Sequence, residues 1–179
     1  LCKRFPRLVY ALITGYGRAG EDADRAAYDI AAFWARSGIA HSLTQANSPP
    51  PHQRGGMGDH NAGLAAAGGI CAALLHRERS GKGQVVSTSL LREGIYTLSF
   101  DLSVALRFGV PIMLGDRKTM GNPSINCYAD CDGRYFWIVG LEGERHWPAL
   151  ARAAGHPEWM EDSRYAKPSE RAANAAGLI

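Results

Sequence analysis

Residues 55–84 read GGMGDHNAGLAAAGGICAALLHRERSGKGQ. The run of small and apolar residues predicts a helix from Ala62 to about Arg79, apolar on nearly every face and therefore buried. Its last turn is basic, which suits the negative C-terminal end of a helix. Gly81-Lys82-Gly83 then predicts a turn into a strand over residues 84–90. A buried helix that leads directly into a strand indicates an α/β fold.

The segments on either side extend this α/β pattern. Residues 8–13 form a continuous apolar run that predicts a buried, parallel strand, and a glycine-rich loop follows it. Aromatic and small residues at helical spacing predict a helix over residues 25–37, ended by Gly38. A stripe of leucine and isoleucine predicts a further helix over residues 91–108. We therefore assign residues 1–108 to part of a large α/β domain.

The pattern changes beyond residue 108. Glycine and proline residues predict a loop over residues 109–124, and the pattern of residues 125–139 predicts a β-hairpin. A short helix is predicted over residues 144–154. The tail from residue 162 onward predicts a helix whose packing partner is missing. Residues 109–179 are therefore expected to form a smaller α+β domain.

The composition excludes several classes of partner. With 46% hydrophobic and 21% charged residues, the 179-residue chain has a globular composition. Its net charge of +3 is spread over interspersed residues, so neither a nucleic acid nor a membrane is expected as a partner. The N-terminal segment lacks the apolar core of a signal peptide, which favours a cytoplasmic location. The four cysteines lack metal-site spacing, and no metal is expected.

Residues 15–20, GYGRAG, match the G-x-G-x-x-G pattern of dinucleotide-binding loops. That site needs a helix N-terminus that is free to hold a diphosphate. Here the motif runs into the carboxylates of Glu21, Asp22 and Asp24, which would repel a diphosphate. A flexible loop at a strand end is the better interpretation, and no nicotinamide nucleotide is expected.

Asp59 is the main candidate for chemistry, because it follows a run of glycines at the start of a buried helix. One interpretation is structural, since Asp59 and Asn61 are both good N-cap residues. The other is that Asp59 is a nucleophile or base, held at the positive helix end where free N–H groups stabilise an oxyanion. His60 is either a second catalytic group or a surface histidine at the helix start.

Two stretches, Gly58–Gly63 and residues 72–84, resemble the signature of class III CoA-transferases, whose fold the α-methylacyl-CoA racemases share. Further matches are Pro6–Ala11, Thr14–Gly17, Ala27–Asp29, Gly155–Trp159 and Asp162–Tyr165. The resemblance implies part of a Rossmann-like large domain followed by a smaller α+β domain. It also implies an interlocked homodimer. Because the chain begins with Leu1, we expect a fragment.

In this family an aspartate attacks the acyl-CoA thioester, and the resemblance assigns that role to Asp59. CoA then passes through an aspartyl anhydride and an aspartyl-CoA thioester to an incoming carboxylic acid. The implied ligands are coenzyme A, bound as the acyl-CoA substrate, and a carboxylic acid acceptor. The resemblance places these residues in or near the substrate pocket: Tyr28, Gly58, His60, Gly121 and Asn122.

The resemblance also suggests CoA contacts at Arg25 and near Leu90. Arg25 would replace a lysine of formyl-CoA transferase, whose position is Ala26 here. The family's glycine-rich active-site loop falls on residues 120–123, where one glycine remains, so oxalate or formate is not assumed as a substrate.

Two other functions remain open from the sequence. One is a 2-methylacyl-CoA racemase or epimerase, but these use a histidine where Tyr28 stands, and tyrosine is a poor proton acceptor near neutral pH. The other is an inactive segment that binds CoA or forms oligomers.

Overall fold

The computed structural model describes residues 1–110 and 115–179. The chain folds into two compact units, Leu1–Leu114 and Gly115–Ile179. The domain boundary expected from the sequence, between residues 108 and 109, lies earlier in the chain than this division between residues 114 and 115. Part of the loop predicted over residues 109–124, residues 111–114, lies outside the described residues.

The first unit combines helices with a parallel pair of strands, so the α/β prediction is confirmed. In chain order its elements are β1 (Tyr10–Thr14), a π-helical segment (Ile30–Ala35), α1 (Ile39–Ser42), α2 (Met57–Ser80), β2 (Val85–Ser89), α3 (Leu90–Thr97) and α4 (Ser99–Phe108). The register of β1 on β2 runs from Tyr10 opposite Val85 to Thr14 opposite Ser89. β1 is less buried than predicted, because within the described residues its sheet has only two strands.

Helix α2 begins at Met57, five residues before the predicted start at Ala62, and ends at Ser80. The prediction that it is buried all round is wrong. One face, made of Gly58, Ala62, Ala66 and Ala73, is buried. Leu64 on another face is 75% exposed and Leu75 is 57% exposed. The described part of the unit packs against one side of the helix, where the buried residues are all glycine or alanine.

Two other helix predictions need correction. The helix predicted over residues 25–37 is reduced to Ile30–Ala35, which is π-helical, and residues 25–28 are irregular. The helix predicted over residues 91–108 is divided at Leu98 into α3 and α4. Helix α3 begins at Leu90, before the predicted start at residue 91. Ser89 caps it there, because its hydroxyl accepts a hydrogen bond from the Arg92 N–H at 3.1 Å.

The core of the first unit forms where the π-helical segment meets α2 and the start of α3. Its buried members are Ala32, Phe33, Trp34, Ile39, Ala62 and Leu90. Trp34 is tied to the following loop, since its indole N–H donates to the carbonyl oxygen of Pro51 at 2.9 Å. The loop that leads into α2 is therefore anchored beside the core of the unit.

The second unit contains the predicted hairpin, with β3 (Ile125–Ala129) antiparallel to β4 (Tyr135–Val139). Helix α5 (Gly143–Ala153) follows, and Trp147 and Ala151 on α5 form a core with Tyr165. The tail contains short helical turns and α6 (Pro168–Ala173), in place of the one unpartnered helix that was predicted. It also has a packing partner, because Leu178 lies against the same core.

Among residues 1–110 and 115–179, no helix combines the length and the apolar character needed to cross a lipid bilayer.

Adjacent glycines on α2 give a direct test of how closely the helix packs on β2. A Cβ added to Gly69 would lie 2.6 Å from Val86 Cγ1, whereas one added to Gly68 meets nothing within 4 Å. We expect Gly68→Ala to raise the free energy of unfolding by about 1 kcal/mol, through helix propensity. Gly69→Ala should lower it by roughly 1–3 kcal/mol, because the added methyl overpacks the contact. Urea denaturation measures both, and equal stabilisation by the two variants would contradict the close contact.

Candidate active site

Asp59 is the third residue of α2, and its side chain is exposed. The N-cap is Gly56, in a left-handed conformation with φ of 79°, and no side chain caps this helix from that position. The interpretation of Asp59 or Asn61 as the N-cap is therefore wrong. Asn61 instead donates from Nδ2 to the carbonyl oxygen of Met57 at 2.8 Å. Asp59 lies at the positive end of the helix with its carboxylate not used in capping.

A second carboxylate reaches the same turn from another part of the chain. The Gly58 N–H donates to Asp29, with distances of 3.0 Å to Oδ1 and 3.2 Å to Oδ2. Gly58 is buried, and a Cβ at this position would overlap both the Asp29 carboxylate and the Phe33 side chain. One N–H that was expected to be free for an oxyanion is thus already occupied.

His60 lies at the same turn, and its exposed ring folds back over the helix start. A Cβ added to Gly56 would lie 3.2 Å from His60 Cε1 and 3.3 Å from its Nε2. The His60 N–H donates to the Gly56 carbonyl at 2.9 Å, as part of the first helical turn. The absence of a side chain on Gly56 is what leaves room for the imidazole.

Tyr28 immediately precedes Asp29, and its side chain is 82% exposed. The Asp29 contact with Gly58 therefore brings the segment that carries Tyr28 beside the start of α2. Four of the predicted site residues lie where these two segments of the first unit come together: Tyr28, Gly58, Asp59 and His60.

The two predicted CoA contacts have different surroundings. Arg25 is exposed and pairs with Asp22, Nη1 to Oδ1 at 3.2 Å. Hydrogen bonds from Arg36 and then Arg25 hold the pKa of the Asp22 carboxyl below its usual value. The Leu90 side chain is 8% exposed and lies in the core. A ligand at position 90 would therefore have to contact the backbone.

Gly121 and Asn122 are exposed and belong to the second unit, in the loop before β3. Asn122 Oδ1 accepts from the Ser124 N–H at 2.9 Å, and the Tyr128 hydroxyl donates to the Pro123 carbonyl at 2.6 Å. This loop lines a cavity of about 160 Å³ together with Gly143 of α5 and with Pro168, Arg171 and Ala172 of α6. Hydrogen bonds on both sides of Pro123 hold the loop in shape.

Within the ranges that the structure describes, no three His, Cys, Asp or Glu residues cluster in a way that could hold a metal ion.

The sequence family can be identified by comparison with known proteins. The family model of CoA-transferase family III matches residues 1–179 of the chain. The chain belongs to CoA-transferase family III. This confirms the resemblance that was inferred from residues 58–63 and 72–84.

Curated members of family III are similar over most of this chain. An (R)-2-hydroxy-4-methylpentanoate CoA-transferase of Clostridioides difficile is 30% identical over 162 residues, which cover 90% of this chain and 40% of that protein. A cinnamoyl-CoA:phenyllactate CoA-transferase of Clostridium sporogenes is 31% identical, over 93% of this chain and 41% of that protein. The chain thus spans about 40% of the length of these curated relatives.

Solved structures of family III proteins have the same fold as this chain. A CAIB/BAIF family protein from Brucella suis superimposes with a TM-score of 0.77 and 30% identity, covering 99% of this chain and 46% of that protein. The Rv3272 protein of Mycobacterium tuberculosis gives a TM-score of 0.80 at 27% identity, with 99% and 46% coverage. The partial large domain expected from the sequence agrees with this coverage.

Asp29 is the residue near Asp59 that the sequence interpretation missed. The matched stretch Ala27–Asp29 contains it, but the resemblance assigns Asp29 no role. The sequence carried no signal for this contact, because Asp59 and Asn61 both offered local caps for a helix predicted to start at Ala62.

Tyr128 provides a pH-dependent test of what holds the loop at residues 121–124. Burial raises the pKa of the Tyr128 phenol above its ordinary value. Because the folded-state pKa is the higher one, the contribution to stability is complete below about pH 10 and is lost as the pH rises through the folded-state pKa. Tyr128→Phe removes the hydrogen bond to Pro123 and should cost about 1 kcal/mol at neutral pH.

We expect the stability difference between wild type and Tyr128→Phe to shrink above about pH 10, measured by urea denaturation across the alkaline range. Tyr135→Phe is the matched control, since Tyr135 lies on the same hairpin and is exposed. A wild-type advantage that stays constant well above that pH would contradict the role assigned to the Tyr128 hydroxyl.

Proposed function

We propose that the complete protein containing this chain is a CoA-transferase that moves CoA between carboxylic acids, with Asp59 as its covalent nucleophile. The observation that carries this proposal is the Asp59 carboxylate, exposed at the third position of α2 and not used in capping. Membership of family III supports the class of reaction. CoA-transferase relatives with several different named substrates support CoA transfer without selecting one acid.

The first half of the proposed reaction loads CoA onto Asp59. The carboxylate attacks the thioester carbonyl carbon of the donor acyl-CoA, and the carbon–sulfur bond breaks to give an aspartyl–acyl anhydride and CoA thiolate. The thiolate then attacks the Asp59 carbonyl carbon of the anhydride. The first acid leaves as its carboxylate, and an aspartyl-CoA thioester remains.

The second half transfers CoA to the acceptor acid. The incoming carboxylate attacks the aspartyl-CoA thioester carbonyl and displaces CoA thiolate, which forms a second anhydride. The thiolate attacks the acyl carbonyl of this anhydride, releasing the new acyl-CoA and restoring the Asp59 carboxylate. No net proton is consumed, so the site must stabilise negative charge rather than supply an acid.

The position of Asp59 suits this requirement. The positive end of α2 favours an anion beside the first turn, both for the carboxylate and for the oxyanion of each tetrahedral intermediate. Gly56 places no side chain beside this turn, whereas the Gly58 N–H is already occupied by Asp29. A carboxylate is a weak nucleophile in water, and a preorganised, water-excluding site is what makes it effective.

The remaining site assignments stay part of the proposal. Tyr28 and His60 would flank the acyl group, and a substrate contact of Gly121 and Asn122 is proposed from the resemblance alone. For CoA, Arg25 would have to exchange its pairing with Asp22 for a contact with the ligand, and Leu90 would offer its backbone. The tyrosine at position 28, where the racemases use a histidine, supports transfer over racemisation.

A homodimer is also part of the proposal. Large apolar side chains are exposed on α2 and α4, including Leu64, Phe100 and Leu106. Exposed apolar surface of this extent favours burial against another polypeptide surface. Sedimentation of the complete protein measures its oligomeric state, and a monomer at micromolar concentration would contradict this part.

Asp59→Ala in the complete protein tests the nucleophile. We expect kcat to fall by about 10³-fold or more, because the covalent route is lost, while the protein remains folded. Asp101→Asn is the matched control, since Asp101 is the third residue of α4 as Asp59 is of α2. That control should retain activity within about 2-fold of wild type.

Trapping gives the complementary measurement. Hydroxylamine added during turnover should convert the activated Asp59 carboxyl to a hydroxamate, which peptide mass spectrometry locates. Turnover by Asp59→Ala, or trapping at a different residue, would refute Asp59 as the nucleophile. Uptake of solvent deuterium at the α-carbon of a 2-methylacyl-CoA, without CoA transfer, would favour the racemase instead.

A further inference from the structure

The first turn of α2 is held by a residue that lies 29 positions earlier in the chain. Both carboxylate oxygens of Asp29 lie within hydrogen-bond distance of the Gly58 N–H, at 3.0 and 3.2 Å. Gly58 directly precedes Asp59. The hydrogen bond therefore acts on the peptide unit adjacent to the proposed nucleophile.

This contact replaces a local helix cap. Helix starts leave N–H groups without intrahelical partners, and a Ser, Thr, Asp or Asn at the N-cap usually accepts one of them. At α2 the N-cap is Gly56, which has no side chain to accept. The acceptor comes instead from Asp29, so the conformation of the first turn depends on where the Asp29 segment lies.

The Asp29 segment is itself fixed by the core. Asp29 immediately precedes the π-helical segment, and Phe33 in that segment is 1% exposed. Phe33 also packs against Gly58, because a Cβ on Gly58 would overlap it. Asp29 and Phe33 thus contact the same glycine, one by a hydrogen bond and one by packing. A buried aromatic residue and a carboxylate together set the position of Gly58.

We propose that Asp29 is a positioning residue for Asp59: it holds the first turn of α2 so that the Asp59 carboxylate meets the thioester at a productive angle. This inference rests on the proposed function of Asp59. Asp29 itself contacts Gly58 rather than the reacting atoms. Reacting groups need placement within fractions of an ångström, and a misplacement of about 1 Å can cost 10²-fold in rate.

Asp29→Ala in the complete protein removes the acceptor. We expect kcat to fall by about 10- to 100-fold, while KM for the acyl-CoA changes by less than about 2-fold. Asp29→Asn keeps an oxygen that can accept from the Gly58 N–H, and it should restore kcat to within about 3-fold of wild type. Gly58→Ala displaces the Asp29 carboxylate from the other side of the contact and should reproduce the loss in kcat.

A stability control separates positioning from general damage to the fold. Ala73 is fully buried on the same helix, 14 residues after Asp59 and therefore about 21 Å along the axis. Ala73→Gly should lower the melting temperature without affecting the first turn, and kcat should stay within about 2-fold of wild type. Glu78→Gln removes an exposed carboxylate near the far end of α2 and controls for loss of charge.

Hydrogen exchange provides a readout that does not depend on activity. Amide exchange over residues 57–60 should accelerate in Asp29→Ala but not in Ala73→Gly, because only the first variant frees the Gly58 N–H. If Asp29→Ala is too unstable to purify, Asp29→Asn and Gly58→Ala make the same comparison between a retained and a broken hydrogen bond.

The inference is overturned if Asp29→Ala keeps wild-type kcat, or if Ala73→Gly loses as much kcat at an equal drop in melting temperature. It is also overturned if Asp29→Asn is as impaired as Asp29→Ala. These outcomes concern only the role of Asp29. The proposed function is tested separately, by the activity of Asp59→Ala. An inactive Asp59→Ala beside a fully active Asp29→Ala would leave the nucleophile standing and remove only the role of Asp29.

Discussion

The close approach of α2 to its neighbours is the constraint on which the first unit depends. Gly58 leaves no room for a Cβ beside Asp29 and Phe33, and Gly69 leaves little beside Val86. Ala62, between them, is fully buried. One face of the helix is thus made of residues without bulk, which allows its backbone to lie against the π-helical segment at one end and β2 further along. Larger side chains on this face would separate the helix from both.

This packing also determines where Asp59 points. Successive residues of an α-helix are rotated by about 100° about its axis, so burial of Gly58 turns the next side chain away from the packed face. Asp59 is exposed for this reason, and His60 turns back over Gly56. The same small-residue face that builds the core therefore presents the carboxylate at the helix end.

The sequence predicted the type of most elements and the position of Asp59 within a helix start, but it did not predict how that start is formed. Asp59 and Asn61 are good N-cap residues, which favoured a later start at Ala62. The Asp29–Gly58 hydrogen bond provides an acceptor that local sequence lacks, and such a contact over 29 residues has no periodic signal. The expected burial of α2 was wrong for a related reason. Apolar composition shows that a face can be buried, but which face is covered depends on the neighbours present.

Two carboxylates at one helix end have different tasks because they differ in what they contact. Asp29 is committed to a backbone N–H, and its segment leads directly into the core. Asp59 has no capping contact and faces outward. Had Asp59 capped its own helix, its oxygens would be committed to backbone N–H groups, and attack on a thioester would first require breaking those hydrogen bonds. Because a distant acceptor serves the first turn, the Asp59 carboxylate is not used in capping, as its proposed role as nucleophile requires.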